Sequence, residues 1–527
     1  MNINDLSIKE KIGQMLMFAY HGNEFNDQLK AFSEEFNLGG VVSFARNIIN
    51  VNQVSKLNQD LLTNFKIPPF IALDQEGGSV LRIMSGITPL PGAMALSSSN
   101  FGKENIYNIS KAVGLDLKHL GFNVNFAPVA DVNNNPKNPV INSRSFSDDP
   151  HIVAKCVKNA FLGFQDAGLL PTVKHFPGHG NTSVDSHIGL PVVEASLDDI
   201  SNLELIPFKE AINAGIDGVM ISHILYKSLD PIYPASLSKK IINDLLIEKL
   251  GFKGLIVTDS LTMGAIYNQF TIEEIIYHGI NAGNDILVFC GRADLAEQRF
   301  IYNKFVELVE NGRIPIERIN KSVDKILKLK KKYCNNKIDL GKINLETNNE
   351  LAKKIQEESI TKVINNGLIP VTKDDNVLVL FPKINVVTLV DNENQKSETL
   401  KKFLGFDEII YDANKENYLE ILEKSKKYNK ILMATYNVTE GDYQVELFNL
   451  LDKEKVAVVA LRSPYDINKL DGCKNFYCCY EATLPALKAL SRVIKGEIKA
   501  NGKLPVKLNW GEYLWEWQLL KQKIIKN

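Results

Sequence analysis

The chain has few cysteines that could cross-link it, and it lacks a long apolar run that could anchor it in a membrane. Only six cysteines occur in 527 residues, and no two of them have the C-x-x-C spacing of a structural zinc site. They are too few to cross-link a chain of this length, which indicates thiols in a reducing compartment. The first residues lack a basic stretch followed by an apolar one, and no apolar run approaches the ~20 residues of a membrane span. We therefore expect a cytoplasmic protein with no membrane partner.

Neither sign of charge is in excess. The 61 Lys and Arg residues are balanced by 62 Asp and Glu residues, leaving a formal net charge of -1. This balance gives no long-range field that would gather nucleic acid or anionic lipid. A nucleic-acid partner is therefore not expected.

Histidine is absent from the last 249 residues of the chain, since none follows His278. Imidazole is the side chain whose ordinary pKa suits proton transfer near neutral pH. We therefore expect the chemistry of this protein in its N-terminal part.

The first 340 residues alternate short apolar runs with longer amphipathic stretches such as 201–213 and 237–250, which is typical of βα units. Their number and spacing match a (β/α)8 barrel. We predict an α/β protein whose residues 1–340 form an N-terminal TIM-like barrel, the catalytic domain. Its predicted strands are 40–44, 69–73, 124–128, 172–174, 218–221, 255–258 and 286–289.

A lysine-rich helix at 315–333 and a polar segment at 335–349 end this region. From about residue 350 the alternation resumes, which favours a smaller α/β sandwich domain over 350–527. Its predicted strands are 377–381, 385–390, 431–435 and 456–461.

Polar residues follow the predicted barrel strands. In barrels of this type catalytic side chains come from the C-terminal strand ends, so one mouth would collect them all. The alternative is that polar residues merely terminate strands. The residues are Arg46, Asp74, Asp131, Lys174, His175, His223 and Asp259.

The segment from Lys174 to His187 carries the most chemistry. Asp185 stands two residues before His187, and in an extended loop such residues face the same side. Asp185 can then accept a hydrogen bond from His187 and make it a general acid/base, although a bond that only orders the loop is the alternative. Lys174 and His175 are neighbours on a strand, so they reach one ligand only if the strand end is distorted.

Asp259 follows the apolar run 254–258. A carboxylate held rigidly at a strand end suits nucleophilic attack on an anomeric carbon. Its alternative role is an N-cap for the segment that follows, and the residues alone leave both roles open.

Five motifs occur in order along the first 340 residues: L-D-Q-E-G-G at 73–78, N-F-A-P-V-A-D-V at 125–132, N-P-V-I-N-S-R-S-F at 138–146, the segment 174–187, and V-T-D-S-L at 257–261. In this order and spacing they resemble glycoside hydrolase family 3, in its β-N-acetylglucosaminidase branch. The Asp185-Ser186-His187 loop is specific to that branch. Ser79 stands where the pattern leads us to expect arginine. The second region is similar to the family's α/β sandwich domain.

The resemblance implies a role for each motif residue. Asp259 would be the nucleophile, and His187, oriented by Asp185, would be the acid/base. On the generic template of two carboxylates, Glu76 or Asp131 would be the acid instead. No metal and no cofactor are implied. The residues that would bind the hydroxyls and the acetamido group of the terminal sugar are Asp74, Arg82, Arg144, Lys174 and His175.

We therefore predict a retaining exo-glycosidase, a β-N-acetylhexosaminidase. It would remove terminal non-reducing β-linked N-acetylglucosamine from small carbohydrates, peptidoglycan fragments in particular, through a covalent glycosyl-aspartate intermediate. Within the same family the alternatives are a β-glucosidase or β-xylosidase, and an N-acetylglucosaminide phosphorylase in which phosphate competes with water.

Two alternatives come from other classes. A metal-dependent barrel hydrolase would need a His-x-His pair at the first strand, where the sequence has Ser43-Phe44-Ala45-Arg46. An inactive sugar-binding protein is disfavoured because both proposed chemical groups are present.

Overall fold

A computed structural model describes residues 3–182, 185–186, 189–291, 294–335, 337–372, 374–384, 391, 398–413 and 416–508. Contacts divide the chain into two compact units. The first comprises Met1–Ser97, Phe101–Lys354 and Val386–Gln395, and the second comprises Ser98–Asn100, Ile355–Asn385 and Lys396–Asn527. The domain boundaries at 340 and 350 remain predictions.

Eight parallel strands form the sheet of the first unit. Along the sheet the order is β8-β1-β2-β3-β4-β5-β6-β7, and a parallel pairing of Val257 with Ile286 brings β7 beside β8, so that the sheet nearly closes. The predicted barrel is confirmed. The strands are β1 (Leu16–Ala19), β2 (Gly40–Val42), β3 (Phe70–Leu73), β4 (Val124–Asn125), β5 (Leu170–Phe176), β6 (Gly218–Ile221), β7 (Leu255–Thr258) and β8 (Leu287–Phe289).

Seven of these strands overlap the predicted ones, and β1 is the strand that the prediction lacks. The helix Ile8–Gln14 precedes it, and one residue, Met15, separates the two. All four residues of β1 are buried. Met15 at the boundary is apolar like the strand that follows it, and Gly13 lies inside the helix rather than after it, so no turn residue marks the boundary.

Helices fill the connections of the first unit. Several begin where the sequence supplies a capping box, as at Ser7 with Glu10 and Thr271 with Glu274. The predicted helix 201–213 is two helices, and the one predicted at 237–250 is a π-helix. Their bounds are Ile8–Gln14, Asp27–Glu34, Val51–Asn64, Ala93–Ser98, Glu104–His119, Pro150–Asp166, Leu197–Asn202, Leu205–Asn213, Lys240–Lys249, Gly264–Tyr267, Ile272–Ala282, Leu295–Glu310 and Ile316–Tyr333. The next helix, Leu345–Ser359, belongs to the first unit only as far as Lys354.

Every side chain in the eight strands is buried. This is what a parallel sheet covered by helices requires, and it explains why the strands read as continuous apolar runs. Aromatic rings join the sheet to the helix Asp27–Glu34 and to the residues just after it. Phe18 of β1 contacts Phe32 and Phe36 with ring centroids 5.7 Å and 6.3 Å away.

The second unit contains a six-stranded mixed sheet with the order β9-β14-β13-β12-β10-β11, in which β9 is antiparallel to β14. The predicted strand 385–390 lies outside the described residues. The strands are β9 (Thr361–Asn365), β10 (Val377–Pro382), β11 (Asp407–Tyr411), β12 (Lys430–Thr435), β13 (Val456–Ala460) and β14 (Asn475–Cys478), and the helices are Lys401–Leu404, Glu416–Ser425, Tyr443–Leu450 and Leu484–Ile494.

Within the described ranges, none of the helices is both long enough and apolar enough to cross a membrane.

Candidate active site

A cavity of about 410 Å³ lies at the C-terminal ends of the barrel strands. Strands β2 to β8 each contribute a residue at their C-terminal end or just beyond it. This is the expected location for the active site of a barrel enzyme, and the volume is in the range of small-molecule sites. The predicted site residues that line it are Asp74, Arg82, Arg144, Lys174, His175 and Asp259.

A network of ion pairs forms one wall of the cavity. Asp74 accepts from Lys174 at 2.8 Å and from Arg82 at 3.2 Å. Glu76 accepts two hydrogen bonds of 2.8 Å from the Arg144 guanidinium and lies 2.6 Å from the Lys174 amine. All five side chains are largely buried, so each charge depends on its neighbours.

Burial alone would raise the pKa values of Asp74 and Glu76, but the neighbouring cations outweigh it. Lys174 and Arg82 lower the pKa of Asp74, while Arg144 and Lys174 hold the pKa of Glu76 far below its ordinary value. In return, Asp74 and Glu76 raise the pKa of Lys174 against the effect of its burial. Asp74, Glu76 and Lys174 are therefore charged at neutral pH, and the Lys174 amine is held ready to donate to an oxygen-rich ligand.

His175 is oriented by Asp131, a carboxylate that does not line the cavity. The Asp131 Oδ2 atom lies 2.7 Å from Nδ1 of His175, and Oδ1 accepts from the backbone N–H groups of His175 and His179 at 3.1 Å and 2.7 Å. Asp131 is fully buried, which by itself raises its pKa, yet these partners lower it. Nδ1 of His175 is thereby engaged, and Nε2 is the ring nitrogen available to a ligand.

The end of β5 is distorted, as predicted. Its pairing with β6 shifts register between Val173 and Phe176, and the Lys174–His175 peptide bond is cis. Both side chains line the same cavity.

Asp259 stands directly after β7. Its Oδ1 atom accepts from the backbone N–H of Ser260 at 2.7 Å, and the N-cap of the next helix, Gly264–Tyr267, is Met263. The alternative role of Asp259 as an N-cap for that segment is therefore wrong. His223 supports this turn, because its Nε2 atom lies 2.8 Å from the Ser260 carbonyl oxygen and its Nδ1 atom 2.8 Å from the Ser236 hydroxyl.

The loop that carries the predicted acid/base pair is described in part. His187 lies outside the described residues, so its bond to Asp185 stays a prediction. Asp185 is half-buried, and its carbonyl oxygen accepts from the N–H of Gly189 at 3.1 Å. The carbonyl oxygen of Ser186 accepts from the N–H of Ala265 at 3.1 Å, which ties this loop to the segment that follows Asp259.

Further polar side chains line the cavity, among them Arg46, Cys290 and Asp391. Arg46 is exposed and lies 4.4 Å from the centroid of the Phe44 ring, a cation–π contact. Cys290 follows β8, and burial raises the pKa of its thiol well above the ordinary value. Asp391 belongs to the same compact unit as the barrel. Arg46 and Cys290 follow strands, and this position predicts that they lie at the barrel mouth. Nothing in the sequence predicts that Asp391 lies there.

A parallel barrel with buried carboxylates, cations and an imidazole at its C-terminal mouth defines a barrel enzyme acting on a small polar ligand. The comparisons with known proteins identify which class. Residues 7–329 match the family model described as glycosyl hydrolase family 3 N terminal domain. The chain belongs to this family, and it falls in its β-hexosaminidase branch, so the predicted resemblance is confirmed.

The similarity extends over nearly the whole chain. It is 31% identical to the beta-hexosaminidase A of Pseudoalteromonas piscicida, over 96% of this chain and 97% of that protein. The structure of a family 3 beta-N-acetylglucosaminidase from Paenibacillus sp. str. FPU-7 has a TM-score of 0.90 and 36% identity, covering 96% of this chain and all of that one. A fungal multi-domain beta-N-acetylglucosaminidase has a TM-score of 0.89 and 30% identity, covering 96% of this chain and 61% of the fungal one.

Proposed function

We propose that the protein is a retaining exo-β-N-acetylglucosaminidase that removes the terminal non-reducing sugar from small glycans, peptidoglycan fragments in particular. The named relatives support the choice of sugar, since they are a beta-hexosaminidase and two beta-N-acetylglucosaminidases. The natural substrate class is our inference from the family resemblance.

The observation that carries the mechanism is the state of the other carboxylates. Glu76 and Asp131 are the residues that a two-carboxylate template would use as the acid. Both have lowered pKa values and are held in ion pairs or hydrogen bonds, so neither has a proton to give at neutral pH. This leaves the role of proton donor to another residue, and the family resemblance gives it to His187.

The reaction would proceed by double displacement. Asp74, Arg82, Arg144, Lys174 and His175 would hold the sugar by its hydroxyls and acetamido group. A carboxylate oxygen of Asp259 would bond to the anomeric carbon while His187, oriented by Asp185, gives its proton to the departing glycosidic oxygen. His187 would then take a proton from water as the water oxygen attacks the same carbon, releasing Asp259 and giving net retention.

The first test replaces the proposed nucleophile. Asp259→Ala should lower kcat for 4-nitrophenyl β-N-acetylglucosaminide by at least about 10⁴-fold, while leaving the thermal unfolding midpoint close to that of the parent. Mass spectrometry of the parent with a slow, fluorinated N-acetylglucosaminide should show one added sugar on the peptide that carries Asp259. Appreciable turnover by Asp259→Ala, or a label on another residue, would refute the assignment.

A second measurement tests the substrate. The enzyme should hydrolyse the 4-nitrophenyl β-N-acetylglucosaminide far faster than the corresponding β-glucoside, and it should release N-acetylglucosamine from defined muropeptides. A preference for the glucoside would favour the β-glucosidase alternative. Sugar 1-phosphate as the main product in phosphate buffer would favour the phosphorylase.

A further inference from the structure

His179 is a buried imidazole on the cavity wall with a partner for each ring nitrogen. Nδ1 lies 2.9 Å from the Thr182 hydroxyl oxygen, and Nε2 lies 3.2 Å from the Ser186 hydroxyl oxygen. Its backbone N–H donates to Asp131 at 2.7 Å. Nothing in the mechanism above uses this side chain.

The hydrogen-bond pattern assigns the tautomer of His179. The single hydroxyl proton of Thr182 is donated to the His179 carbonyl oxygen at 3.1 Å, so the Thr182 oxygen must accept from Nδ1–H. The amide of Asn138 donates to the same oxygen at 3.2 Å, which is consistent with its role as an acceptor. Nε2 is therefore unprotonated, and the Ser186 hydroxyl donates to it.

The surroundings keep His179 neutral. Burial, and then the neighbouring His175, lower the pKa of His179 to about 4, although Asp131 acts in the opposite direction. The neutral ring is the form in which one nitrogen donates and the other accepts. At neutral pH both hydroxyl contacts can therefore exist together.

Ser186 is held from two sides. Its side chain donates to His179, and its carbonyl oxygen accepts from Ala265 in the helix after Asp259. It stands between Asp185 and His187 in the chain. The contacts of His179 with Thr182 and Ser186 thus span the stretch of loop that leads to the proposed acid/base.

We propose that His179 is a positioning residue for the Asp185–His187 pair, acting through Thr182 and Ser186 rather than by touching the substrate. This inference rests on the proposed role of His187. Loss of either bond would leave the sugar-binding wall in place but would let the proton donor move out of line with the leaving group.

The test uses the dependence of rate on the leaving group. For aryl β-N-acetylglucosaminides, kcat/KM reports the first bond cleavage, and proton donation matters more as the leaving phenol becomes more basic. Ser186→Ala and His179→Ala should lower kcat/KM about 100-fold for phenols of high pKa and only a few-fold for dinitrophenol. The plot of log kcat/KM against phenol pKa should therefore become steeper. Ser55→Ala, which removes a buried hydroxyl from the helix Val51–Asn64, should leave the slope unchanged.

A comparison with His187→Ala separates the two proposals. His187→Ala should steepen the slope, and adding His179→Ala or Ser186→Ala to it should steepen the slope no further. An equal loss on every substrate in Ser186→Ala and His179→Ala would show a merely structural role and overturn the inference alone. A slope that becomes steeper in His179→Ala but not in Ser186→Ala would also overturn the inference, because His179 would then be the proton donor itself. An unchanged slope in His187→Ala would overturn the proposed function and this role with it.

Discussion

Glu76 is a buried carboxylate whose partners decide what it can do. Its two oxygens bind the fork of Arg144, and one of them also lies beside the Lys174 amine. These cations outweigh the effect of burial and keep its pKa far below the ordinary value. Glu76 is thus the counter-ion of two proposed sugar-binding residues, Arg144 and Lys174, and it is not available as a proton donor.

Replacing Glu76 with Gln should therefore destabilise the protein and weaken substrate binding. The substitution leaves two buried cations short of one counter-charge, which typically costs about 3–5 kcal/mol. A carboxylate with a depressed pKa stabilises the fold above its unfolded pKa, and that stabilisation is lost as the pH falls through the folded value. The difference between parent and variant in urea unfolding should therefore be large at pH 7 and shrink as the pH falls below about 4.5.

The matched control is Asp324→Asn, which breaks the exposed pair with Lys328 and should change stability by less than about 1 kcal/mol. A Glu76→Gln variant that kept its stability but lost one limb of the pH–rate profile would instead identify Glu76 as a proton donor.

At the scale of secondary structure, strand ends were predictable and some element boundaries were not. The apolar runs before Asp74, Lys174 and Asp259 end in polar residues, so sequence places these side chains at the barrel mouth. The distortion of β5 was also expected, because Lys174 and His175 otherwise face opposite sides. The break between Leu197–Asn202 and Leu205–Asn213 and the π-helix Lys240–Lys249 depend on packing, which periodicity does not report.

The helix Ile316–Tyr333 carries a buried amine in its last turn. Lys330 is 5% exposed, donates to Gln14 at 2.7 Å and lies 5.3 Å from the centroid of the Phe70 ring. Burial lowers the pKa of Lys330 to about 7. A base whose folded pKa is lower than its unfolded one destabilises the fold fully below the folded value, and the penalty fades as the pH rises toward the unfolded value.

Lys330→Met should therefore stabilise the protein by about 1–4 kcal/mol at pH 7, because an apolar chain of similar length fits the site without desolvating a charge. By pH 10 most of this gain should be gone, and Lys328→Met on the exposed face should show neither effect. Urea unfolding at both pH values measures it. A destabilised Lys330→Met at pH 7 would mean that the bond to Gln14 outweighs the burial of the amine.

For the molecule as a whole, the sequence does not predict which residues far apart along the chain lie close together in space. Six of the eight proposed site residues line one cavity, because they lie at the C-terminal ends of β3, β5 and β7 or in the connections that follow β3 and β4. Asp391 lines the same cavity although it follows the family-matched range 7–329 by many residues. No periodicity or local spacing relates such a residue to the barrel. Only the three-dimensional structure, in which Asp391 belongs to the first unit, does so.

Asp391 therefore gives a test of whether residues 7–329 contain the complete site. Asp391 is buried, with 7% of the residue exposed. Burial lowers the pKa of Arg144, but the charges of Glu76, Asp131 and Asp391, in that order, outweigh it and raise that pKa. Removing the charge of Asp391 should weaken the hold on the substrate without touching the nucleophile. Asp391→Asn in the full chain should raise KM for 4-nitrophenyl β-N-acetylglucosaminide about 10-fold with kcat nearly unchanged, a loss of about 1.4 kcal/mol of binding.

The control is Glu398→Gln, which replaces an exposed carboxylate paired with Lys402 and should change neither KM nor kcat. If KM is the same in Asp391→Asn as in the parent, the strand ends of the barrel bind the sugar unaided, and the carboxylate at position 391 serves only to balance the charge of the cavity.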